Sequence, residues 1–511
     1  MTAVNVTIGT GRLSLDTLDA CLGHAVKVTI TPAALERAAR ARDWVEELIT
    51  RDEAVYGINT GFGHLKSKRI SPAQLDQLQE NLILSHAVGV GPAAPPDIVR
   101  WMMLFKLHML LQGHSGVRRD VIRHMQMCLN ADILPIVPTR GSVGASGDLA
   151  PLAHMVLALI GRGKMSVPQA TEAGIGRQER PANEVLAALA LEPLRLAAKE
   201  GLALINGTQF MASYAANIAV RAKRLADLAD LIACMSLEGI CGSVRPMDKR
   251  LHELRPHPGA QLVAANIRRH MAGSEILESH ETCERVQDPY SLRCVPAVHG
   301  AFRDALTHYR DVVWREINSV TDNPILFEGE AISGGNFHGA PLALVLDYLA
   351  IALTDLANIS ERRTCQLLQG QDGLPTLLMK DTGINSGFML TQYTAAALVN
   401  ECKVLASPAA VDSIPTSLGQ EDHVSMGATS ALKCYEVLGN AETVVAIEMM
   451  CAVQAIDFRA PLKAGAGPRA AQALVRQYIT HADADRQFGE DIAEAVRLLR
   501  EDVELRALAA G

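Results

Sequence analysis

The residues most suited to chemistry lie in one stretch, Thr139-Arg140-Gly141-Ser142-Val143-Gly144-Ala145-Ser146-Gly147-Asp148-Leu149-Ala150-Pro151-Leu152-Ala153-His154. Within it, Ala145-Ser146-Gly147 can react with itself. The Gly147 nitrogen, unhindered by a Cβ, is able to attack the Ala145 carbonyl carbon. Loss of water closes a five-membered ring, and loss of a second water from the Ser146 side chain leaves an exocyclic methylene conjugated to it. None of the ordinary side chains supplies such an electrophile. A helix predicted from about Leu149 to Ile160 sets its positive N-terminal end beside the ring, where negative charge develops as a nucleophile adds. The plainer reading of these glycines is a turn entering that helix, and a phosphate cradle is weaker still because no Gly-Lys-Ser/Thr follows.

The elements that hold this stretch can be read on either side of it. Val4, Val6 and Ile8 alternate with polar residues, which predicts a short strand before Gly9 and Gly11. Little other strand signal follows. Thr31-Pro32 predicts a helix start, with Ala38, Ala41, Val45, Leu48 and Ile49 at helical spacing. That helix leads into Tyr56-Gly-Ile-Asn-Thr-Gly-Phe-Gly63, whose three glycines predict a loop. From about Glu200 the pattern becomes long and helical. Leu225, Leu228, Ile232 and Met235 form one stripe, while Leu342–Ile359 is apolar nearly all round apart from Asp347, Asp355 and Asn358 and must be buried on several sides. Further long segments run through Phe388–Leu405, Ser430–Ile456 and Pro468–Leu508. The fold class expected is mainly α, with residues 1–200 as an N-terminal mixed domain carrying the reactive loop and residues 201–511 as a long-helix bundle with C-terminal helices.

Composition narrows the partners. Lys and Arg total 48 against 56 Asp and Glu, a net charge of −8 that disfavours nucleic acid. At 49% hydrophobic but only 4% aromatic, the core must be built from small and aliphatic side chains, which favours helix on helix. The apolar runs are broken early, as Leu342–Leu356 is by Asp347, so no membrane span is expected. Met1–Thr10 lacks a basic region followed by an apolar stretch, so no secretory signal is expected. The ten cysteines are scattered, with no CxxC pair and no metal-like clustering with His, which points to reduced thiols in a cytoplasm and to no metal site.

Seven blocks in order resemble the aromatic amino acid ammonia-lyase family. They are Tyr56–Gly63, Ser85-His-Ala-Val-Gly-Val-Gly91, the stretch around Ala145-Ser146-Gly147, Asn206-Gly-Thr-Gln209, Gln287-Asp-Pro-Tyr-Ser-Leu-Arg-Cys294, Gly334-Gly-Asn-Phe-His338 and Gln420-Glu-Asp-His-Val-Ser-Met426. The resemblance implies that Ala145, Ser146 and Gly147 form an internal methylidene-imidazolone, with no external cofactor. It also implies a homotetrameric helical superbundle whose active sites borrow residues from neighbouring chains. The implied reaction is non-oxidative elimination of ammonia from an amino acid, and in this branch of the family the conversion of L-histidine to trans-urocanate. An electrophile that captures the amino group makes it a better leaving group, and a base must then take a weakly acidic β-proton.

By the same resemblance, Tyr56 is that base, on a loop able to close over substrate. Arg293 takes the substrate carboxylate, for which its planar fork is suited. Tyr290 assists the cofactor and the amino group, and Gln287 is a polar wall residue. Asn206 hydrogen-bonds the ring and the carboxylate, and Phe337 packs close to the electrophile. Substrate choice rests on His86 and Glu421, because an imidazole needs polar partners. Tyrosine- and phenylalanine-specific members typically carry His-Leu or Phe-Leu in place of Ser85-His86 and lack the carboxylate of Glu421, although some tyrosine lyases and aminomutases share the Ser-His pair. A tyrosine ammonia-lyase or aminomutase is therefore the alternative. The chain departs from the usual pattern at Val295-Pro-Ala-Val-His299 and at Gly339-Ala340, near assigned residues but at none of them.

Overall fold

The computed structural model describes residues 3–51, 55, 57, 58, 60, 74–171, 174–281 and 286–511. Among these the chain forms twenty α-helices and only short sheets, so the fold is mainly α as expected. The strand Val4–Ile8 forms where its alternation predicts it and pairs in parallel with Val26–Ile30, Val4 opposite Val26 and Ile8 opposite Ile30. The helix Pro32–Thr50 follows, with Thr31 at its N-cap and Pro32 in its first turn, where a missing N–H costs nothing. It buries Ala38, Ala41, Val45 and Leu48, and Ile49 packs against the same cluster with Ile58 and Leu326.

One sheet has no clear trace in the sequence. Lys164–Thr171 and Gly174–Pro181 form an antiparallel hairpin, extended by Leu134–Pro135 on its other edge. Most of Lys164–Thr171 is exposed or half-buried, so no apolar alternation marks it. Polar contacts secure it instead: Arg177 donates to Asp132 Oδ2 at 2.6 Å and to Ser166 O at 2.9 Å.

The chain divides into two compact units, interleaved where the sequence reading draws a single boundary after residue 200. The first comprises Met1–Val220, Arg310–Leu346 and Pro408–Leu432, and the second comprises Arg221–Tyr309, Asp347–Ser407 and Lys433–Gly511. The long helices account for the difference. Gln209–Gly239, Val295–Ile317, Ala340–Leu367 and Gly427–Asp457 each contribute residues to both units. The predicted stripe of Leu225, Leu228, Ile232 and Met235 is buried throughout.

The helix Ala340–Leu367 is long and apolar enough, by composition, to cross a membrane, but 67% of its most apolar segment is buried inside the protein, as in a core helix. It retains an uncovered stripe of Leu344, Tyr348 and Ile351, 48–60% exposed. Met389–Leu405 likewise exposes Leu390, Tyr393 and Val404. The segment Pro468–Leu508 is three helices, Ala466–Val475, Phe488–Glu501 and Val503–Ala510. Asp502 separates the last two and caps the third by accepting from Leu505 N at 2.7 Å.

Each unit contains buried charges held by partners. In the first, Lys199 and Asp322 are fully buried and 2.7 Å apart. In the second, Glu448 accepts from Ser236, Ser360 and Arg363, while Asp230 meets His299, Arg303 and Asn266. Unpaired, each of these groups would carry a heavy desolvation cost.

Candidate active site

Ala145-Ser146-Gly147 lies in the first unit, just ahead of the helix Leu149–Leu159 that the sequence predicts. Ala145 and Gly147 are buried and Ser146 is half-buried. The tripeptide runs beside Asn206-Gly207, with Gly147 bridged in parallel to Gly207. Gly207 N–H donates to Ser146 O at 3.3 Å, and Asp148 N–H donates to Gly207 O at 2.8 Å. Gly147 has φ +72°, and a Cβ built there would stand 2.1 Å from Gly207 O, so the close approach admits only glycine.

Other segments complete the clamp. Ser425 Oγ donates to Gly144 O at 3.0 Å, and Met426 N–H donates to Val143 O at 2.9 Å. Ala145 packs with Val424 and Met426. Asp148 is fully buried and accepts from Ser142 Oγ at 3.0 Å and from Met211 N–H at 2.9 Å, in the first turn of Gln209–Gly239. Burial pushes its carboxyl up to about 7, against those hydrogen bonds.

Glu421 reaches this site. Ser146 Oγ donates to Glu421 Oε1 at 3.4 Å. The other carboxylate oxygen accepts from Thr416 Oγ1 at 2.6 Å, and Thr416 and Glu421 also exchange backbone hydrogen bonds at 2.9 and 3.3 Å. His86, at the end of the helix Leu75–His86, has Nδ1 3.0 Å from Ser85 Oγ. Because that hydroxyl donates to Leu82 O, it accepts from Nδ1–H and leaves Nε2 a lone pair. Burial lowers the His86 pKa, and the Glu421 charge pulls the other way.

Asn206 is 2% exposed, and its Nδ2 donates to Asn323 O at 3.4 Å. Its Oδ1 is buried without a partner. Phe337, half-buried, precedes His338, whose ring stacks on His423 at 5.8 Å and whose Nε2 lies 3.3 Å from His423 O. That contact links the Phe337 segment to the segment bearing Glu421. Gln287, Tyr290 and Arg293 belong to the second unit. The Arg293 guanidinium lies over the Tyr290 ring at 4.6 Å, and its Nε is buried without a hydrogen-bond partner. Tyr56 lies outside the described residues.

Three residues of the site escape the sequence reading. Thr416 fixes Glu421, and nothing in its local sequence marks it. Asn323 Oδ1 accepts from Ser333 Oγ at 3.2 Å and from Gly334 N–H at 2.8 Å, holding the loop that leads to Phe337. Lys106 donates to the Asn206 and Ala203 carbonyls. As a lone cation in the apolar run Trp101–Leu110 it does carry a signal.

The surroundings fit a ring made from residues 145–147. No Cβ fits at Gly147, and helix N-termini lie ahead at Leu149 and Gln209. A long-helix protein that presents such a tripeptide beside a carboxylate has the makings of a carbon–nitrogen lyase. The family model of the aromatic amino acid lyases matches residues 13–477. A histidine ammonia-lyase of Gloeobacter violaceus is 49% identical over 502 residues, 98% of this chain and 96% of its own. The crystal structure of histidine ammonia-lyase from Trypanosoma cruzi is similar with a TM-score of 0.90 and 38% identity, covering 99% of this chain and 95% of that one. Tyrosine aminomutase from Streptomyces globisporus is similar with a TM-score of 0.91 and 34% identity, covering 99% of each chain. The chain belongs to the aromatic amino acid lyase family.

Proposed function

We propose that this chain is a lyase that removes ammonia from L-histidine without oxidation, giving trans-urocanate. The observation that carries the choice of substrate is the Glu421 carboxylate, 3.4 Å from Ser146 Oγ and held by Thr416. An imidazole N–H satisfies a carboxylate there, whereas a phenyl ring leaves its desolvation uncompensated. The likeness to a tyrosine aminomutase favours a second reading, tyrosine as substrate, against which Glu421 weighs.

When formed from Ala145, Ser146 and Gly147, the methylidene-imidazolone supplies an electrophile that captures the substrate and makes ammonia the better leaving group. The chain's own residues do the rest. Tyr56 takes the β-proton. Arg293 pairs with the substrate carboxylate, a role supported by its unpartnered Nε, with Tyr290 and Gln287 beside it. Asn206 turns its free Oδ1 to a donor on the substrate, Phe337 closes the wall, and His86 and Glu421 hold the imidazole. No metal or external cofactor enters this scheme.

Each site borrows residues from neighbouring chains of a homotetramer, as the family resemblance implies. The uncovered stripes on Ala340–Leu367 and Met389–Leu405 support such an assembly. No disulfide joins the nine described cysteines, which supports a cytoplasmic setting. One assay tests the reading: L-histidine, L-tyrosine and L-phenylalanine are supplied separately, and the absorbance of each unsaturated product is followed. Histidine is turned over fastest, and a preference for tyrosine overturns the assignment. Light scattering should give a tetrameric mass, and a fully active monomer refutes the shared-site scheme.

A further inference from the structure

Lys106 is the least expected charge in the first unit. It lies on the apolar helix Pro96–Leu110 and is fully buried, yet no carboxylate bonds to it directly among the described residues. The nearby Asp322 is engaged by Lys199 at 2.7 Å. Lys106 Nζ instead donates to two backbone carbonyls, Asn206 O at 2.5 Å and Ala203 O at 3.2 Å. Both stand at the C-terminal end of the helix Glu200–Ile205, where unsatisfied carbonyls favour a donor or cation.

The Asn206–Gly207 peptide is what this contact holds. In a trans peptide the C=O and N–H point in opposite directions, so fixing one aims the other. The carbonyl is pinned by Lys106, and the N–H of Gly207 donates to Ser146 O at 3.3 Å. Gly207 has φ +117°, open to glycine but rarely to other residues, and glycine's freedom leaves the direction of this peptide to be set by its contacts. The opposite face of Gly207 is fixed by Asp148 N–H on its carbonyl.

We propose that Lys106 is a positioning residue, which acts through the Asn206–Gly207 peptide to aim the Gly207 N–H at the Ser146 carbonyl and so hold the 145–147 tripeptide in the shape that closes. In that closure the Gly147 nitrogen bonds to the Ala145 carbonyl carbon. The Ala145 oxygen leaves as water with the amide hydrogens of Ser146 and Gly147, and the Ser146 hydroxyl leaves as a second water with its Cα hydrogen. No oxidant or co-reactant is needed. Lys106 takes no part in either bond change, and the Asn206 carbonyl has no other donor among the described residues to replace it.

The inference rests on the reading that residues 145–147 close, and the parent protein's mass tests that reading separately. The experiment compares the parent with Lys106→Met, an unbranched chain one atom shorter with no donor, and Lys106→Gln, equally short but ending in an amide donor. Peptide mass spectrometry at successive times after induction gives the fraction of the 145–147 peptide that has lost two waters. Hydrogen exchange on the peptide containing Asn206–Thr208 reports the Gly207 amide. Closure should slow about tenfold in Lys106→Met, as expected for one lost strong hydrogen bond, and to a lesser degree in Lys106→Gln. Exchange should quicken in both, and fully closed protein should show a lower kcat with KM unchanged. Closure, exchange and kcat at parental values in Lys106→Met overturn the proposal. If that variant does not fold, the same result in Lys106→Gln does so. A parent that never loses two waters refutes the underlying reading instead.

Discussion

Replacing Thr416 with Val tests whether Glu421 selects the imidazole. The substitution keeps a β-branched side chain and both backbone hydrogen bonds between residues 416 and 421, and it removes only the 2.6 Å bond from Oγ1 to the carboxylate. Hydrogen bonds to charged groups contribute roughly 1.5–3 kcal/mol. Thr416 and Glu421 are both half-buried, so water replaces part of the loss and about 1 kcal/mol remains. At ~1.4 kcal/mol per factor of ten, this is about a fivefold fall in kcat/KM for histidine. Phenylalanine, whose ring has no donor for the carboxylate, should change less than about twofold, and tyrosine, which has a phenol O–H in place of an imidazole N–H, less than histidine. Steady-state kinetics on the three substrates, with melting temperature as a control for folding, gives the comparison. An equal fall on all three, or none on histidine, refutes the reasoning.

Ser146→Ala should fold normally and lose nearly all activity, since alanine has no hydroxyl to lose as water; unchanged turnover sinks the assignment of the tripeptide. Arg293→Lys should weaken every amino-acid substrate alike, because all share the carboxylate, and kinetics showing a loss on only one of them contradicts that role. Asp322→Asn leaves Lys199 buried without its counter-charge and should cost about 3–5 kcal/mol in denaturant unfolding, while a loss below about 1 kcal/mol shows the pair to be dispensable. Burial holds the Lys106 ammonium down to about 7 in the folded protein against an ordinary 10.5, so the unfolded chain binds more protons between those values. This group's contribution to stability therefore increases as pH rises from 7 to 10.5, and Lys106→Met should flatten the corresponding trend in melting temperature.

The legible parts of the fold are those where burial imposes a period. Val4–Ile8 alternates because one face is covered, and Leu225, Leu228, Ile232 and Met235 recur because a long helix buries that side. The hairpin Lys164–Pro181 is poorly legible for the opposite reason: little of it is covered, so its residues carry no pattern. The interleaving of the units is invisible as well, since each long helix keeps one continuous period while its residues fall into two groups. At the site, Ala145-Ser146-Gly147 and Glu421 are readable because their chemistry belongs to the residues themselves. Thr416, Asn323 and Lys106 matter through what they touch. Each is an ordinary residue until the chain brings Glu421, Gly334 or Asn206 to it.

The clamp on the tripeptide also sets a clock. Ser146 meets Glu421, 275 positions later, and Gly144 meets Ser425, 281 positions later. At synthesis rates of ~5–20 residues per second, those partners leave the ribosome roughly 15–55 s after the tripeptide does. Until then the nascent chain has the Gly207 contacts but lacks those from Glu421 and Ser425, so on the proposed reading the clamp on residues 144–147 is incomplete. An electrophile generated early would meet the thiols and amines of half-folded chains and chaperones. With part of the clamp drawn from 275 and 281 positions downstream, the proposed closure would be completed only late in synthesis.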